Sequence, residues 1–397
     1  MRFLTAGESH GEGLSVLVDG FPAGVTISPD AINHQLARRQ IGYGRGGRMK
    51  IETDRARILS GVRFQKSTGA PIALFIENRD WKNWTDVMSV DGERGEAAEA
   101  KSFIRPRPGH ADLAAFYKYG LTDLRDALER ASARETAARV AAGAIARSLL
   151  DELGITMVSH VTKLGGITIS PDEIPSDFET LKERVESNDL RCGASDDKLA
   201  EIRKHIDAAL KEGNTLGGEV VVEVHNVPPG LGSYTQWDRK LDGLLAQAVM
   251  SIQAVKSVSF GAGDIGGDVP GTEFHDAFTL ERNDEVKISR VTNRAGGLEA
   301  GVTNGMPLIV KAVMKPISTM RKALKSVNLA SGELEDAHFE RSDVTAVPAC
   351  GVVCEAMVSF VLANALLEKY GADTLGEIQT ALNTYLNQLT PRHYETL

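Results

Sequence analysis

Apolar residues recur at every second position from Leu14 to Val18, which is the period of a strand with one buried face. Longer segments carry helical patterns, and the first of them begins with a Ser28 cap followed by Pro29. Strands are predicted at residues 14–19, 71–77, 155–162, 219–225 and 307–314, and helices at 28–39, 111–121, most of 122–154, 197–212, 237–255, 351–370 and 374–389. Both kinds of element therefore occur along the whole chain.

One sequence pattern occurs twice in the chain. Residues 14–25 read LSVLVDGFPAGV and residues 220–231 read VVVEVHNVPPGL. Each segment is a strand followed by an apolar residue, a proline, any residue and a glycine, and then by a helix. We interpret the match as a weak internal duplication, with halves at about residues 1–205 and 206–397. Because no linker-like stretch separates the halves, we predict a single domain over residues 1–397.

The composition is that of an ordinary soluble globular protein, with 397 residues of which 42% are hydrophobic and 25% charged. The net charge of −9 argues against nucleic-acid binding, because nucleic-acid-binding proteins are more often basic. Cys192, Cys350 and Cys354 form no CxxC pair, so a disulfide framework is not predicted. We recognise no apolar run of transmembrane length and no signal-peptide core, and expect a cytoplasmic protein without membrane association.

Basic residues cluster between Arg38 and Arg63, where only Glu52 and Asp54 oppose them. The centre of this segment, GYGRGGR at residues 42–48, is a glycine-rich loop that carries two arginines. A loop that closes over an anionic ligand, a solvated loop and an RNA-binding patch all fit this pattern. An RNA-binding patch usually brings more interleaved aromatic residues than the single tyrosine of this loop.

Residues 105–112 read RPRPGHAD and bring two arginines, a histidine and an aspartate close together in sequence. The two prolines stiffen the backbone, which lowers the entropy lost when an arginine is held against an anion. We expect the side chains of Arg105 and Arg107 to point in different directions, which leaves the role of Arg105 open. His110 is suited to carry a proton near neutral pH beside such an anion. A surface loop with two solvated arginines is the alternative interpretation.

Three further segments suit acid–base chemistry or anion binding. His10 lies in the glycine-rich loop GESHGEG. Ser132 and Glu135 have the spacing of a capping box before an alanine-rich helix, whose N-terminus favours anions. The segment KPIST at residues 315–319 offers a lysine and two hydroxyls to a phosphate. Because neither loop histidine has a second ligand at metal-binding spacing, we favour proton transfer and predict no metal site.

Together these groups indicate an enzyme that acts on a small metabolite with several negative charges, since the planar arginine fork suits carboxylate and phosphate. Seven motifs carry a closer resemblance: GESHGEGL at 7–14, RRQIGYGRGGR at 38–48, RPRPGHAD at 105–112, ERASARET at 129–136, NRAGG at 293–297, KPIST at 315–319 and RSD at 341–343. In these motifs, and in register from residue 5 to about residue 370, the chain closely resembles the chorismate synthase family. The resemblance implies an α+β fold with two antiparallel sheets in the core and helices outside, built from two pseudo-repeated halves.

The resemblance also implies the last step of the shikimate pathway. In that step the small-molecule substrate enolpyruvylshikimate phosphate loses phosphate and a ring proton by anti 1,4-elimination, which gives chorismate. The reaction has no net redox change, yet the family requires reduced FMN, and its members are homotetramers. We recognise no nicotinamide-binding motif, so NADPH is expected only as an indirect reductant of the flavin.

Site residues follow from the resemblance by position. His10 is implied to protonate the departing phosphate, His110 to set the protonation of the reduced flavin, and Asp343 to help take the ring proton near the flavin N5. The implied substrate-binding residues are Ser9, Arg39, Arg45, Arg48, Arg107, Ser132, Arg134 and Arg341. The implied FMN-binding residues are Arg45, Arg130, Ala131, Ser132, Gln253, Ala254, Ala300, Lys315, Pro316, Ile317, Ser318, Thr319 and Arg341.

Two other function classes remain open at this point. A regulatory protein that senses a flavin or another polyanion needs the arginines, but it does not need His10, His110 and Asp343 together. An RNA-binding role for residues 38–63 predicts an affinity for RNA that falls strongly with salt concentration.

Overall fold

The structure of the protein is a computed structural model that describes residues 1–46, 53–282, 286–340 and 342–389. Its strands are β1 (Arg2–Ala6), β2 (Gly13–Asp19), β3 (Ala56–Ile58), β4 (Val62–Arg63), β5 (Lys66–Ser67), β6 (Ile72–Glu77), β7 (Thr156–Leu164), β8 (Ile167–Thr168), β9 (Gly218–His225), β10 (Val255–Phe260), β11 (Phe278–Arg282), β12 (Val286–Arg290), β13 (Leu298–Glu299), β14 (Val302–Thr303), β15 (Leu308–Met314), β16 (Lys325–Val327) and β17 (Leu334–Asp336). Its helices are α1 (Pro29–Gln40), α2 (Glu96–Lys101), α3 (Asp112–Tyr119), α4 (Arg125–Ala131), α5 (Thr136–Glu152), α6 (Phe178–Glu186), α7 (Asp196–Glu212), α8 (Leu241–Met250), α9 (Gly271–Phe274), α10 (Val347–Tyr370) and α11 (Leu375–Leu389).

Two antiparallel sheets carry the fold, as predicted. The first sheet has the strand order β1-β2-β6-β3 and the second the order β10-β15-β9-β7-β8. Leu14, Val16 and Val18 of β2 are buried on one face of the first sheet, which confirms the alternating pattern. At the start of α1 the Ser28 side chain accepts the N–H of Ala31 at 3.3 Å, so the predicted cap is also confirmed. The helix predicted at 237–255 is shorter, because the chain passes from α8 into β10.

The two sheets share one connectivity. The chain order in the first sheet is β2, α1, β3 and β6, with the hairpin β4–β5 inserted before β6. The corresponding chain order in the second sheet is β9, α8, β10 and β15. Without β8, the order β1-β2-β6-β3 corresponds strand by strand to β7-β9-β15-β10. β7 therefore belongs with the second sheet, although it lies at residues 156–164. The predicted boundary near residue 205 falls inside α7 and is too late in the chain.

The two longest core helices lie between the sheets, which corrects the expectation that the helices lie outside. α5 and α10 pack against each other, α5 against β2 of the first sheet, and α10 against β7 and β9 of the second. The order of layers is therefore sheet, helix, helix, sheet. The physical reason is that most residues of both helices are apolar or small and are buried, so each helix needs cover on several sides.

α10 is long and apolar enough to cross a membrane by length and composition, which corrects the expectation that no such run exists. The most apolar window of the helix is 94% buried inside the protein. Among the described residues, three strands of the second sheet and four helices pack against α10, so its apolar surface is used by the core; they are β7, β9, β15, α1, α5, α8 and α11.

A glycine sets the distance between α5 and α10. A Cβ atom built on Gly143 would lie 2.4 Å from the Cβ of Ala356 and 2.6 Å from the Ala356 carbonyl oxygen. Atoms of real side chains do not approach so closely, so only glycine at this position permits the contact.

A buried carboxylate ties the same helices to their neighbours. Glu355 on α10 is 2% exposed and accepts hydrogen bonds from Arg38 of α1 at 2.7 and 2.9 Å and from Arg147 of α5 at 2.8 Å. It also accepts the backbone N–H and the hydroxyl of Ser159 in β7, both at 2.7 Å. Burial alone would raise the pKa of Glu355, but the charges of Arg38, Arg147 and Arg191 hold that pKa well below its usual value. The carboxylate thus joins α1, α5, α10 and β7.

Replacing Gly143 with alanine is expected to lower the free energy of unfolding by about 2 kcal/mol, because the two helices must move apart. Gly376 in α11 supplies a matched control, since a Cβ there meets nothing within 4 Å. Gly376→Ala is expected to leave stability unchanged or slightly higher. Urea unfolding of both variants measures the difference, and wild-type stability of Gly143→Ala would contradict the tight contact.

Replacing Glu355 with glutamine is expected to cost about 3–5 kcal/mol of unfolding free energy, because it leaves three arginines without their buried carboxylate. The pKa of Glu355 is lower in the folded state than its usual value of 4.5. Its contribution is therefore fully present above that value and is lost as the pH falls toward the folded pKa. Urea unfolding as a function of pH should show a shallower acid decline in the variant. A decline identical to that of the wild type would assign the acid sensitivity to other groups.

Candidate active site

His10 is held by a buried glutamate at the end of the first loop. The carboxylate of Glu129 lies 2.8 Å from Nδ1 of His10 and also accepts the His10 backbone N–H at 2.8 Å. The indole of Trp84 stacks on the imidazole with ring centroids 3.8 Å apart. Arg125 donates to the same carboxylate at 3.1 Å. We call these four residues the His10 cluster, and its geometry fixes both the position and the rotation of the imidazole.

Ser9 and Ser132 connect the His10 cluster to the start of α5. The Ser132 hydroxyl donates to the Ser9 hydroxyl at 3.1 Å, and Ser132 accepts the backbone N–H of Arg134 at 3.3 Å. The Ser132 cap is present, but the return hydrogen bond to the Glu135 side chain, which completes a capping box, is not formed. The Glu135 side chain does not bond back to Ser132, because it accepts hydrogen bonds from Thr5, Arg139 and Gln253 instead. A single 3-10 turn at residues 133–135 therefore separates Ser132 from α5.

Two predicted substrate-binding arginines, Arg39 and Arg134, converge on one buried aspartate. Asp54 accepts a hydrogen bond from Arg39 at 2.6 Å and another from Arg134. Burial raises the pKa of Asp54, but the two guanidinium groups outweigh it and hold that pKa below its usual value. Burial lowers the pKa of Arg39, and the positive charges of Arg134 and Arg45 act in the same direction. Positive charge thus exceeds negative charge here, which suits an anionic ligand.

Within the described part of the chain, the Nε–H of Arg39 is buried and has no hydrogen-bond partner. A buried donor without a partner costs free energy, and a ligand carboxylate or phosphate would satisfy it. Arg134 is oriented by a further bond from its Nε to the Asn78 side chain at 2.9 Å. Asn78 in turn donates to the backbone carbonyls of Glu8 and Gly11, so the arginines and the His10 loop form one unit.

Arg45 and Asp343 meet where the glycine-rich loop contacts the segment before α10. A guanidinium nitrogen of Arg45 lies 3.2 Å from the Asp343 carboxylate, which also accepts the backbone N–H of Gly46 at 2.6 Å. The backbone N–H of Val344 donates to the Gly44 carbonyl at 2.8 Å. The loop is thereby fastened to the start of α10 on the side that carries Asp343. Two predicted site residues, Arg48 and Arg341, lie outside the described residues.

His110 has an arrangement that resembles that of His10. Asp112 accepts two guanidinium bonds from Arg107, at 2.8 and 2.9 Å, and its oxygen lies 2.5 Å from Nδ1 of His110. Burial raises the pKa of Asp112, but hydrogen bonds from His110 and Arg107 outweigh it and hold that pKa well below its usual value. An ionised carboxylate only accepts, so Nδ1 of His110 donates to Asp112. A guanidinium nitrogen of Arg107 lies 2.9 Å from Nδ1 and 3.3 Å from Nε2, and of these two ring nitrogens only Nε2 can accept its N–H. We call Arg107, His110 and Asp112 the His110 cluster.

The two clusters share an aromatic residue, and Arg105 lies apart from them. Arg107 and Arg125 each lie 5.7 Å from the centre of the Phe103 ring, so one ring contacts an arginine of each cluster. Arg105 instead pairs with Glu335 at 3.2 Å, with 40% of its side chain exposed. Arg105 and Arg107 therefore bind different partners and point in different directions, as expected.

The segment predicted to bind a phosphate lies against the His110 cluster. The Thr319 hydroxyl accepts a bond from Arg107 at 3.2 Å, and the Lys315 ammonium donates to the Gly109 carbonyl. The backbone N–H of Lys315 donates to the Ala254 carbonyl at 2.9 Å. The loop from Lys315 through Pro316, Ile317 and Ser318 to Thr319 thus joins the His110 cluster to Ala254.

Other predicted cofactor residues line a groove of about 450 Å³ beside β1. Arg130 and Gln253 lie on its walls, and Ala131 ends helix α4 next to Arg130. The buried side-chain oxygen of Gln253 has no hydrogen-bond partner among the described residues. Ala300 lies apart from this groove, in the turn between β13 and β14. The carbonyl of the next residue, Gly301, accepts the backbone N–H of Leu241. No hydrogen bond between described residues joins that turn to the groove.

Sequence reasoning identified the histidines and arginines of the site but not their carboxylate partners. Glu129, Asp112 and Asp54 each pair with a predicted residue, and Trp84 stacks on His10. Glu129 and Asp112 lie inside the motifs ERASARET and RPGHAD, so their motifs were a usable signal. Asp54 carries no such signal, because its pairing with Arg134 depends on the fold.

Known proteins match the part of the chain that carries these residues. A family model described as chorismate synthase matches residues 1–367. A protein named chorismate synthase from Streptococcus uberis is 51% identical over 387 residues, covering 98% of this chain and 99% of that one. One with the same name from Aquifex aeolicus is 48% identical over 395 residues, covering 98% of each.

The fold agrees with a solved structure as well. A chain from a crystal structure of chorismate synthase aligns with a TM-score of 0.77 and 40% sequence identity, covering 98% of both chains. The family match, the relatives and the solved structure each extend over nearly the whole chain. The chain therefore belongs to the chorismate synthase family, carbon–oxygen lyases that form chorismate from enolpyruvylshikimate phosphate with loss of phosphate.

Proposed function

We propose that the His10 and His110 clusters, the arginines at Asp54 and the Arg45–Asp343 pair form one active site for this elimination. One observation carries the proposal: two histidines, each held by a buried carboxylate, are connected to a region with an excess of buried arginine. Arginine binds the carboxylates and the phosphate of the substrate, and the histidines exchange protons with the reacting groups.

In this proposal Arg39, Arg45 and Arg134 bind the anionic groups of the substrate, and Ser9 and Ser132 donate hydrogen bonds beside them. The Nε–H of Arg39 has no hydrogen-bond partner among the described residues, which supports this assignment because a substrate oxygen would satisfy it. Arg107, Arg48 and Arg341 are proposed substrate-binding residues by position in their motifs.

Three residues are proposed to move protons. His10, doubly protonated, gives its Nε2 proton to the departing phosphate and keeps its Nδ1 proton, because Glu129 holds Nδ1. Asp343 helps take the ring proton, with its carboxylate held in place by Arg45 and by the backbone N–H of Gly46. His110 sets the protonation at the flavin, with its ring oriented by Asp112.

Reduced FMN is proposed as the cofactor, and the residues present fit it. The partnerless oxygen of Gln253, the cationic Arg130 and the Lys315–Thr319 segment supply acceptors, donors and positive charge for a flavin and its phosphate. When bound, the flavin supplies electron density to the substrate as phosphate leaves. The cofactor residues proposed are Arg45, Arg130, Ala131, Ser132, Gln253, Ala254, Ala300, Lys315, Pro316, Ile317, Ser318, Thr319 and Arg341, and NADPH is proposed only as an indirect reductant.

We also propose that the chain acts in the cytoplasm as a homotetramer and binds neither nucleic acid nor membrane. Exposed apolar residues on the hairpin β11–β12 support self-association, since Phe278 is 67% and Leu280 is 52% exposed. The RNA-binding alternative is disfavoured because Arg38 and Arg39 are buried against Glu355 and Asp54. These two arginines therefore cannot contact an RNA backbone.

An anaerobic assay tests the proposed reaction and separates it from the sensor alternative. The full chain is mixed with enolpyruvylshikimate phosphate and chemically reduced FMN, and release of phosphate and formation of chorismate are followed. The enzyme produces both in equal amounts. Binding of flavin and substrate without phosphate release would identify a polyanion sensor and contradict the proposal.

Replacing His110 with alanine is expected to preserve substrate affinity but lower kcat by about 100-fold or more, because a general acid–base group is removed. Arg107 keeps its bonds to Asp112 in this variant, so the loop retains its fold. The exposed His34 on α1 supplies a control, and His34→Ala should retain wild-type kcat. Substrate titration and steady-state kinetics measure both quantities, and an unchanged kcat for His110→Ala refutes the proton role.

A further inference from the structure

Glu129 contacts the Ser9–His10 segment at three points. Its carboxylate accepts the backbone N–H of His10 and lies against the His10 ring nitrogen Nδ1, each at 2.8 Å. Its backbone carbonyl accepts the N–H of Ser9 at 3.0 Å. The Glu129 side chain is fully buried, whereas 12% of the His10 side chain is accessible. One residue of α4 therefore holds both the main chain and the ring of a histidine in another part of the fold.

The charge on Glu129 is balanced within the cluster. Arg125 donates to the Glu129 carboxylate at 3.1 Å and to Glu340 at 2.8 Å, so this arginine is itself held from two sides. A carboxylate paired with a guanidinium accepts hydrogen bonds and donates none. Nδ1 of His10 must then carry a proton in every protonation state of the ring, so proton exchange with a ligand takes place at Nε2. The stacked Trp84 ring blocks rotation of the imidazole away from this orientation.

We propose that Glu129 is a positioning residue of the elimination. It keeps a proton on Nδ1 of His10, so the proton that the doubly protonated ring gives to the departing phosphate comes from Nε2 and leaves the Nδ1–H tautomer behind. It does not itself contact substrate or flavin. The inference rests on the proposed function, because it assigns Glu129 a task only if His10 transfers a proton. Glu129 and His10 are 119 residues apart in sequence, so their contact also connects α4 to the first loop.

Glutamine at position 129 keeps the shape of the side chain but adds a donor, so it no longer dictates which ring nitrogen of His10 is protonated. For Glu129→Gln we expect kcat to fall about 10- to 100-fold with KM changed less than about threefold, as for other residues that orient a reactive group. The Glu129→Asp variant keeps the acceptor with a shorter reach and should recover part of kcat.

Nitrogen NMR of the full chain with ¹⁵N-labelled histidine reads the tautomer without any turnover, with the His10 signals assigned from a His10→Gln variant. The wild type is expected to show His10 protonated at Nδ1, and Glu129→Gln to show a mixture of tautomers. Glu340→Gln is the matched control, because it removes the other partner of Arg125 and leaves the Glu129–His10 pair in place. Its His10 signals should match those of the wild type.

A Glu129→Gln variant with wild-type kcat and wild-type His10 signals would overturn the inference. Loss of kcat with unchanged His10 signals would also overturn it, since tautomer control would then not be the cause. Circular dichroism and thermal unfolding establish whether each variant is folded. If Glu129→Gln is not folded, kcat and the His10 signals are measured on Glu129→Asp instead. Absence of turnover in the wild type would instead contradict the proposed function. The NMR measurement needs no turnover, so it tests the effect of Glu129 on His10 separately.

Discussion

The close packing of α5 against α10 is the contact on which the rest of the structure depends. Gly143 lets the two helices approach until a methyl group no longer fits between them. Glu355 then binds arginines from α1 and α5 and the backbone of β7, so the layers cannot shift independently. Each sheet packs on one of the two helices. A carboxylate surrounded by arginines costs desolvation energy, and it holds the helices in register because any displacement leaves a buried charge without its partner.

The candidate active site follows from this packing, because its residues lie at the ends of the packed helices. Arg134 comes just before α5 and Asp343 just before α10. Arg39, near the end of α1, donates to Thr136 at 3.2 Å, and the loop that follows α1 carries Arg45 to Asp343. Loops from both sheets thus meet where positive charge is concentrated. Buried carboxylates recur there as partners of arginine and histidine, which orients those side chains before a ligand arrives.

Local signals in the sequence were sufficient for many of the helices and strands, and the resemblance to a known family supplied the candidate reactive groups. The Ser28 cap, the alternation in β2 and the repeated strand-Pro-Gly pattern depend on neighbouring residues, which a sequence displays directly. The order of layers was predicted wrongly, because alanine-rich helices do not reveal which surfaces cover them. The Glu129–His10 pair is separated by 119 residues, so its geometry depends on folding that no local pattern encodes. Arg48 and Arg341 stay predictions.

The central claim is that loops from both sheets form one ligand site. Hydrogen–deuterium exchange of the full chain, with and without enolpyruvylshikimate phosphate and FMN, tests it most directly. Backbone amides in residues 9–12, 107–112, 315–319 and 342–345 are expected to gain protection together when both ligands are bound. Protection confined to one of these segments, or absent from all of them, would contradict a shared site.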